Sequence, residues 1–123
     1  VSARTILVAD DNQQIRMLVG AALRSLGHEI VYATDGAEAL ATAISVKPDL
    51  VLLDVTMPEL SGFEVLEFLR KRPELAETRV MMLTTAAQKW DLERGSSLGC
   101  DDYLTKPFEP RTLREKVAAI LGE

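Results

Sequence analysis

The chain has little that would tie it together covalently. A single cysteine cannot form an internal disulfide, so a disulfide-stapled secreted scaffold is excluded and a reducing compartment fits. No apolar run approaches the roughly 18–20 residues of a membrane span, and the opening Val1-Ser2-Ala3-Arg4-Thr5 has no signal-peptide pattern. The expectation is a cytoplasmic protein with no membrane role. Gly/Ser linkers, low-complexity stretches and internal repeats are also missing. Basic residues are the minority, 14 Lys and Arg against 19 Asp and Glu, for a net charge of −5. A phosphate backbone is bound by clustered Lys and Arg, so direct nucleic-acid binding is not expected of these residues. What remains is ordinary globular composition, 47% hydrophobic and 27% charged, which rules out disorder and fibrous repeats. The length suits one domain, residues 1–123, able to bury roughly two-thirds of its unfolded surface without a structural metal.

Short apolar runs alternate with helical patterns. Strands are expected at Thr5–Ala9, Glu29–Ala33, Leu50–Leu53, Arg79–Leu83 and Asp102–Thr105. The first, third and fourth are continuous apolar runs, as in strands buried on both faces of a parallel sheet. The first helical segment carries the stripe Ile15, Leu18, Val19, Ala22, Leu23 and Leu26. The second starts at a capping pair, Asp35 and Glu38, and the third at the S-x-x-E box Ser61 and Glu64. A fourth, about Gln88–Leu98, is weaker, because Gly95, Ser96 and Ser97 are poor helix formers. The fifth has Pro110 in its first turn and the stripe Leu113, Val117, Ile120 and Leu121. Strict β-α alternation with right-handed crossovers implies an α/β, flavodoxin-like (βα)5 three-layer sandwich. Its five-stranded parallel sheet would have the order 2-1-3-4-5, with the ligand site beyond the carboxyl ends of strands one and three.

Strand one runs into Asp10-Asp11 and strand three into Asp54. In this topology the three carboxylates meet, and close anions repel unless something offsets them. A hard divalent cation with oxygen ligands, Mg²⁺ or its substitute Mn²⁺, is the natural offset. The competing reading, that Asp10 and Asp11 with Asn12 only cap the first helix, leaves Asp54 unexplained. Thr84 ends strand four and Lys106 follows strand five, directly before Pro107, so a hydroxyl and an ammonium reach the same edge. Carboxylates with a metal, a Lys and a hydroxyl make a phosphoryl clamp, in which an Asp can be the nucleophile. Asp54 is the best-placed acceptor.

Val8-Ala9-Asp10-Asp11-Asn12, Leu53-Asp54-Val55-Thr56-Met57-Pro58 with Gly62, Leu83-Thr84, Gly99-Cys100-Asp101-Asp102-Tyr103 and Lys106-Pro107-Phe108 follow one another across the chain. As an ordered set they resemble the receiver domain of a two-component response regulator, of the chemotaxis-regulator kind. The resemblance implies a phosphorylation-activated switch rather than an enzyme with a separate substrate. Asp54 would accept a phosphoryl group from a sensor histidine kinase, a phosphotransfer protein or a small acyl phosphate. Asp11, Asp54 and the Thr56 backbone carbonyl would ligate Mg²⁺, with Asp10 acting largely through water. Lys106 would bond the phosphoryl group, Thr84 would move to meet it and Tyr103 would follow. A cis Lys106–Pro107 bond is also implied. Output would pass through the face of helix four, strand five and helix five to a partner or output domain. The oligomeric expectation is a monomer or a phosphorylation-dependent dimer.

Other classes remain to be weighed. Haloacid-dehalogenase-type phosphatases also place an Asp at a strand end, but they carry a second acid two residues on, where this chain has Thr56. A pseudo-receiver would not need all of Asp10, Asp11, Asp54, Thr84 and Lys106. Thr85 is bulkier than the usual family residue, and Thr56 and Ala86 occupy positions that tune acyl-phosphate lifetime. Cys100 is expected to be a small buried residue, and His28 a surface residue far from the acids. Trp90 is balanced between partner anchor and self-packing. The Gly95–Ser97 run suggests a loosely held fourth helix.

Overall fold

The apolar runs become strands because each can bury both of its faces at once. The computed structural model describes residues 4–85 and 98–123. In chain order these form β1 (Thr5–Ala9), α1 (Gln13–Arg24), β2 (Glu29–Ala33), α2 (Gly36–Val46), β3 (Leu50–Asp54), α3 (Gly62–Lys71), β4 (Arg79–Thr85), β5 (Asp102–Lys106) and α4 (Pro110–Leu121). The label α4 thus falls on the fifth helical segment of the sequence. The fourth expected segment, with Ala86, Trp90 and the Gly95–Ser97 run, lies outside the described residues, as do residues 1–3.

All four strand pairings are parallel, in the order β2-β1-β3-β4-β5. Successive side chains leave a strand on opposite faces, and the core divides accordingly. Leu7, Val51, Leu53, Val80 and Met82 pack with Ala39 and Ala43 of α2 and Phe63, Leu66 and Leu69 of α3. Ile6, Val8, Leu50, Leu52, Met81 and Leu83 pack with Val19 and Leu23 of α1 and Leu113, Val117 and Leu121 of α4. The result is the expected three-layer sandwich. β3 and β5 each run one residue and β4 two residues beyond their expected ends, because Asp54, Lys106 and the pair Thr84 and Thr85 stay in the ladder.

Helix starts follow local chemistry. Asn12 alone caps α1, its side chain accepting from the Gln14 and Ile15 amides. Ser61 and Glu64 form a complete capping box on α3. Asp35 caps α2 through the Glu38 amide, but the Glu38 carboxylate turns to the Thr34 amide and hydroxyl, so that box is incomplete. No described helix is long and apolar enough to cross a membrane.

One sequence expectation is corrected. His28 is not a surface residue: its side chain is 4% exposed. Its Nδ1 accepts the Arg4 amide at 3.0 Å, and its Nε2 faces Glu123 at 2.6 Å. It lies at the amino-terminal edge of the sheet, opposite the acids, as expected.

Candidate functional site

The carboxyl-terminal edge of the sheet gathers the acids because three strands end there in register. Ala9 of β1 pairs with Leu53 of β3, and Asp54 pairs with Leu83 of β4. The next residues along are Asp10 and Thr84. Lys106 pairs with Thr85 at the end of β5. Among the described residues, one group of acids could hold a metal: Asp10, Asp11 and Asp54, each offering an oxygen within 4.8 Å of the others.

Asp10 is fully buried. Its Oδ2 accepts from Lys106 Nζ at 2.7 Å, and its Oδ1 accepts from the Asn12 amide at 2.9 Å. Asp54 is also buried. Its Oδ1 lies 3.3 Å from Lys106 Nζ and 3.4 Å from the Thr56 amide. The residue that follows it is held through both of its backbone groups, since the Val55 amide donates to the Leu83 carbonyl and the Gly62 amide to the Val55 carbonyl. Asp11 is the exposed member of the trio. Because Asn12 does the capping, neither Asp is consumed by α1, which removes the competing reading of the pair.

One ammonium therefore serves two buried carboxylates, and it sits closer to Asp10. Burial, with the Asp10 charge beside it, pushes the Asp54 carboxyl up to about 6, against the opposing pull of Lys106 and the Thr56 amide. Burial works against the Lys106 ammonium, but its hydrogen bond to Asp10 and the charges of Asp54 and Asp10 prevail and raise its pKa. Asp54 stays short of countercharge, a deficit that a second cation would fill. An all-oxygen donor set of this kind suits Mg²⁺.

Thr84 is buried, and its hydroxyl donates to the Thr85 carbonyl at 3.2 Å. Tyr103 is half-buried against the α2/α3 side of the core, together with Cys100 and Leu98. The Lys106–Pro107 peptide is cis, as expected. Thr85 is exposed at the end of β4. Cys100 is partly, not fully, buried, and burial raises its thiol pKa.

Gly62 earns its place by close approach. A Cβ there would stand 2.2 Å from the Asp54 carbonyl oxygen, so α3 can begin this close to Asp54 only without a side chain. One polar neighbour of the site escaped the sequence reading. Arg16 donates from Nη1 to the Asp10 carbonyl at 2.7 Å. A side chain bonding a backbone oxygen belongs to no residue motif, and only its i+6 position on the helix after Asp10 hints at it.

Comparisons with known proteins identify the family and agree with the fold. A family model described as the response regulator receiver domain matches residues 6–118. The chain is 42% identical over 118 residues to the alkaline phosphatase synthesis transcriptional regulatory protein PhoP of Bacillus subtilis, covering 96% of this chain and 48% of that protein. It is 36% identical over 118 residues to the phosphate regulon transcriptional regulatory protein PhoB of Pseudomonas aeruginosa, covering 96% and 52%. The chain thus spans about half the length of the curated relatives it matches. Among solved structures, the chemotaxis response regulator CheY4 of Vibrio cholerae superposes with a TM-score of 0.91 at 34% identity, covering 97% of this chain and 99% of that one. The receiver domain of NtrX from Brucella abortus gives 0.88 at 31% identity, covering 95% and 98%.

Proposed function

Since this chain belongs to the response regulator receiver domain family, a family of two-component signalling domains rather than classical enzymes, we propose that Asp54 is its phosphoryl acceptor. The observation that carries this reading is the buried Asp54 carboxylate 3.3 Å from Lys106, beside Asp10 and Asp11. A carboxylate oxygen of Asp54 attacks phosphorus, the new O–P bond forms as the donor bond breaks, and the leaving group departs with its electron pair. From a phosphohistidine the leaving group is the ring nitrogen, which takes up a proton. From a small acyl phosphate it is a carboxylate. Lys106 would bond the transferred group, and Thr84 would supply its hydroxyl from the neighbouring strand.

Asp11, Asp54 and the Thr56 carbonyl would hold Mg²⁺, with Asp10 contributing through water. Bound there, the metal supplies the positive charge that lets a phosphoryl group approach three acids. Asp10 also has a second task, because its salt bridge to Lys106 keeps that ammonium at the pocket.

Phosphorylation adds about −1.5 to −2 charge and three acceptor oxygens at this edge. Thr84 and Tyr103 would reposition in response, altering the surface of β5, α4 and the segment between β4 and β5. The donor is a sensor histidine kinase or phosphotransfer protein, and the recipient of the signal an output domain or partner. PhoP and PhoB are transcriptional regulators by name and about twice as long as this chain. Any DNA contact would therefore belong to residues other than these acidic ones.

Intact-mass measurement after incubation with a small acyl phosphate tests the reading. A gain of one phosphoryl group is expected that needs Mg²⁺ and disappears in Asp54→Asn. No gain with acyl phosphate or with a phosphohistidine donor favours a pseudo-receiver instead.

A further inference from the structure

The hydrogen bond from Arg16 to the Asp10 carbonyl is in an unexpected place. With Asn12 as the cap and Gln13 as the first helical residue, Arg16 sits in the first turns of α1. A cation there opposes the helix dipole, and the first turn of α1 contains no acidic residue to offset it. Side chains on a helix lean toward its amino terminus. A long one at this position can therefore fold back over the β1–α1 loop, and Arg16 does so, partly buried.

What it grips is the carbonyl of the peptide that joins Asp10 to Asp11. The two residues differ sharply. The Asp10 carboxylate is buried and fixed by Lys106 and the Asn12 amide, whereas Asp11 is exposed. Yet an Asp11 oxygen lies within 4.8 Å of oxygens of both Asp10 and Asp54. The orientation of the shared peptide plane, with the Asp11 rotamer, sets where the Asp11 carboxylate points. Resting on the Mg²⁺ reading above, we infer that Arg16 is a positioning residue for the metal site, locking the Asp10–Asp11 peptide so that Asp11 faces Asp54.

Two effects of losing Arg16 have opposite signs. Removing a positive charge near a cation site tightens cation binding. Releasing the peptide loosens it, because partners that orient a metal ligand are typically worth about tenfold or more in affinity. Isothermal titration of the 123-residue chain with Mg²⁺ alone separates the two. Arg16→Met is expected to bind roughly tenfold more weakly, with Arg16→Lys, which keeps a donor and the charge, recovering at least part of the loss. Urea unfolding of both variants in chelator, with a midpoint close to wild type, shows that the fold is intact. Equal or tighter Mg²⁺ binding by Arg16→Met overturns the inference, as does a loss that Arg16→Lys leaves unrecovered. A wild-type chain that does not bind Mg²⁺ overturns the metal reading itself, and this inference with it.

Discussion

At the scale of single residues, the site is a contest for one ammonium. Asp10 holds Lys106 at 2.7 Å and Asp54 has the longer contact, 3.3 Å. The Asp54 carboxyl is consequently raised by burial and the Asp10 charge from 3.8 to about 6. A folded-state pKa above the unfolded value favours the folded protein when the group is protonated. The contribution is full below about pH 3.8 and is lost as pH climbs through about 6. At neutral pH the metal-free chain therefore carries a destabilising charge that an amide would not. Asp54→Asn is expected to be more stable than wild type in chelator at about pH 7, by on the order of 1–2 kcal/mol after allowance for solvent screening at the pocket mouth. The difference should shrink toward zero at about pH 4. Urea midpoints across that range check it, and a less stable Asn variant at neutral pH would contradict the charge argument.

At the scale of elements, the sequence was legible wherever one local rule decided the outcome. β1 and β2 fall where their apolar runs end, and Ser61 with Glu64 starts α3 as a capping box must. Asp10 and Asp54 were legible because a polar residue closing an apolar strand has to emerge at the sheet edge, and Lys106 because it stands where a parallel fifth strand reaches that edge. Residues whose partners come from distant chain were not legible. His28 looks like a turn residue until Arg4 and Glu123 close over it. Arg70 of α3 is another case. It donates to the carbonyls of Ala76, Thr78 and Gly99 and to the Asp101 carboxylate, so one side chain ties α3 to both the chain entering β4 and the chain entering β5. Backbone acceptors leave no trace in a motif. Gly62 lies between these cases, being a quoted motif residue whose reason is purely geometric. Gly62→Ala would set a Cβ 2.2 Å from the Asp54 carbonyl, which is backbone and cannot swing away. A loss of about 1–3 kcal/mol in urea unfolding is expected, as for other forced overpacking, together with slower phosphorylation as the start of α3 pushes on Asp54. An Ala variant with wild-type stability would mean that the helix start can shift without strain.

For the molecule as a whole, the net charge of −5 matters less than its distribution. Most described ion pairs lie at the surface, such as Lys71 with Glu67 and Arg111 with Glu115. Exposed pairs of this kind contribute roughly 0–1 kcal/mol and weaken with salt. Apart from His28 with Glu123, the clear exception is the pocket, where Asp10 and Asp54 share Lys106 and Asp11 stands beside them, so repulsion there is felt by the folded state and not by the open chain. Any ligand that binds only the folded state stabilises it by RT ln(1 + [L]/Kd). Mg²⁺ should therefore raise stability by about 1.4 kcal/mol for each tenfold increase in concentration above its Kd, while NaCl at matched ionic strength should not. The response should be much smaller in Asp54→Asn, which lacks one carboxylate of the set. If relief of the same repulsion underlies both effects, the stability advantage of Asp54→Asn in chelator must narrow and then reverse as wild type fills with Mg²⁺. Denaturation of the two proteins across a Mg²⁺ series measures that crossing directly. Parallel curves would separate the Asp54 charge from the metal and break the link between them.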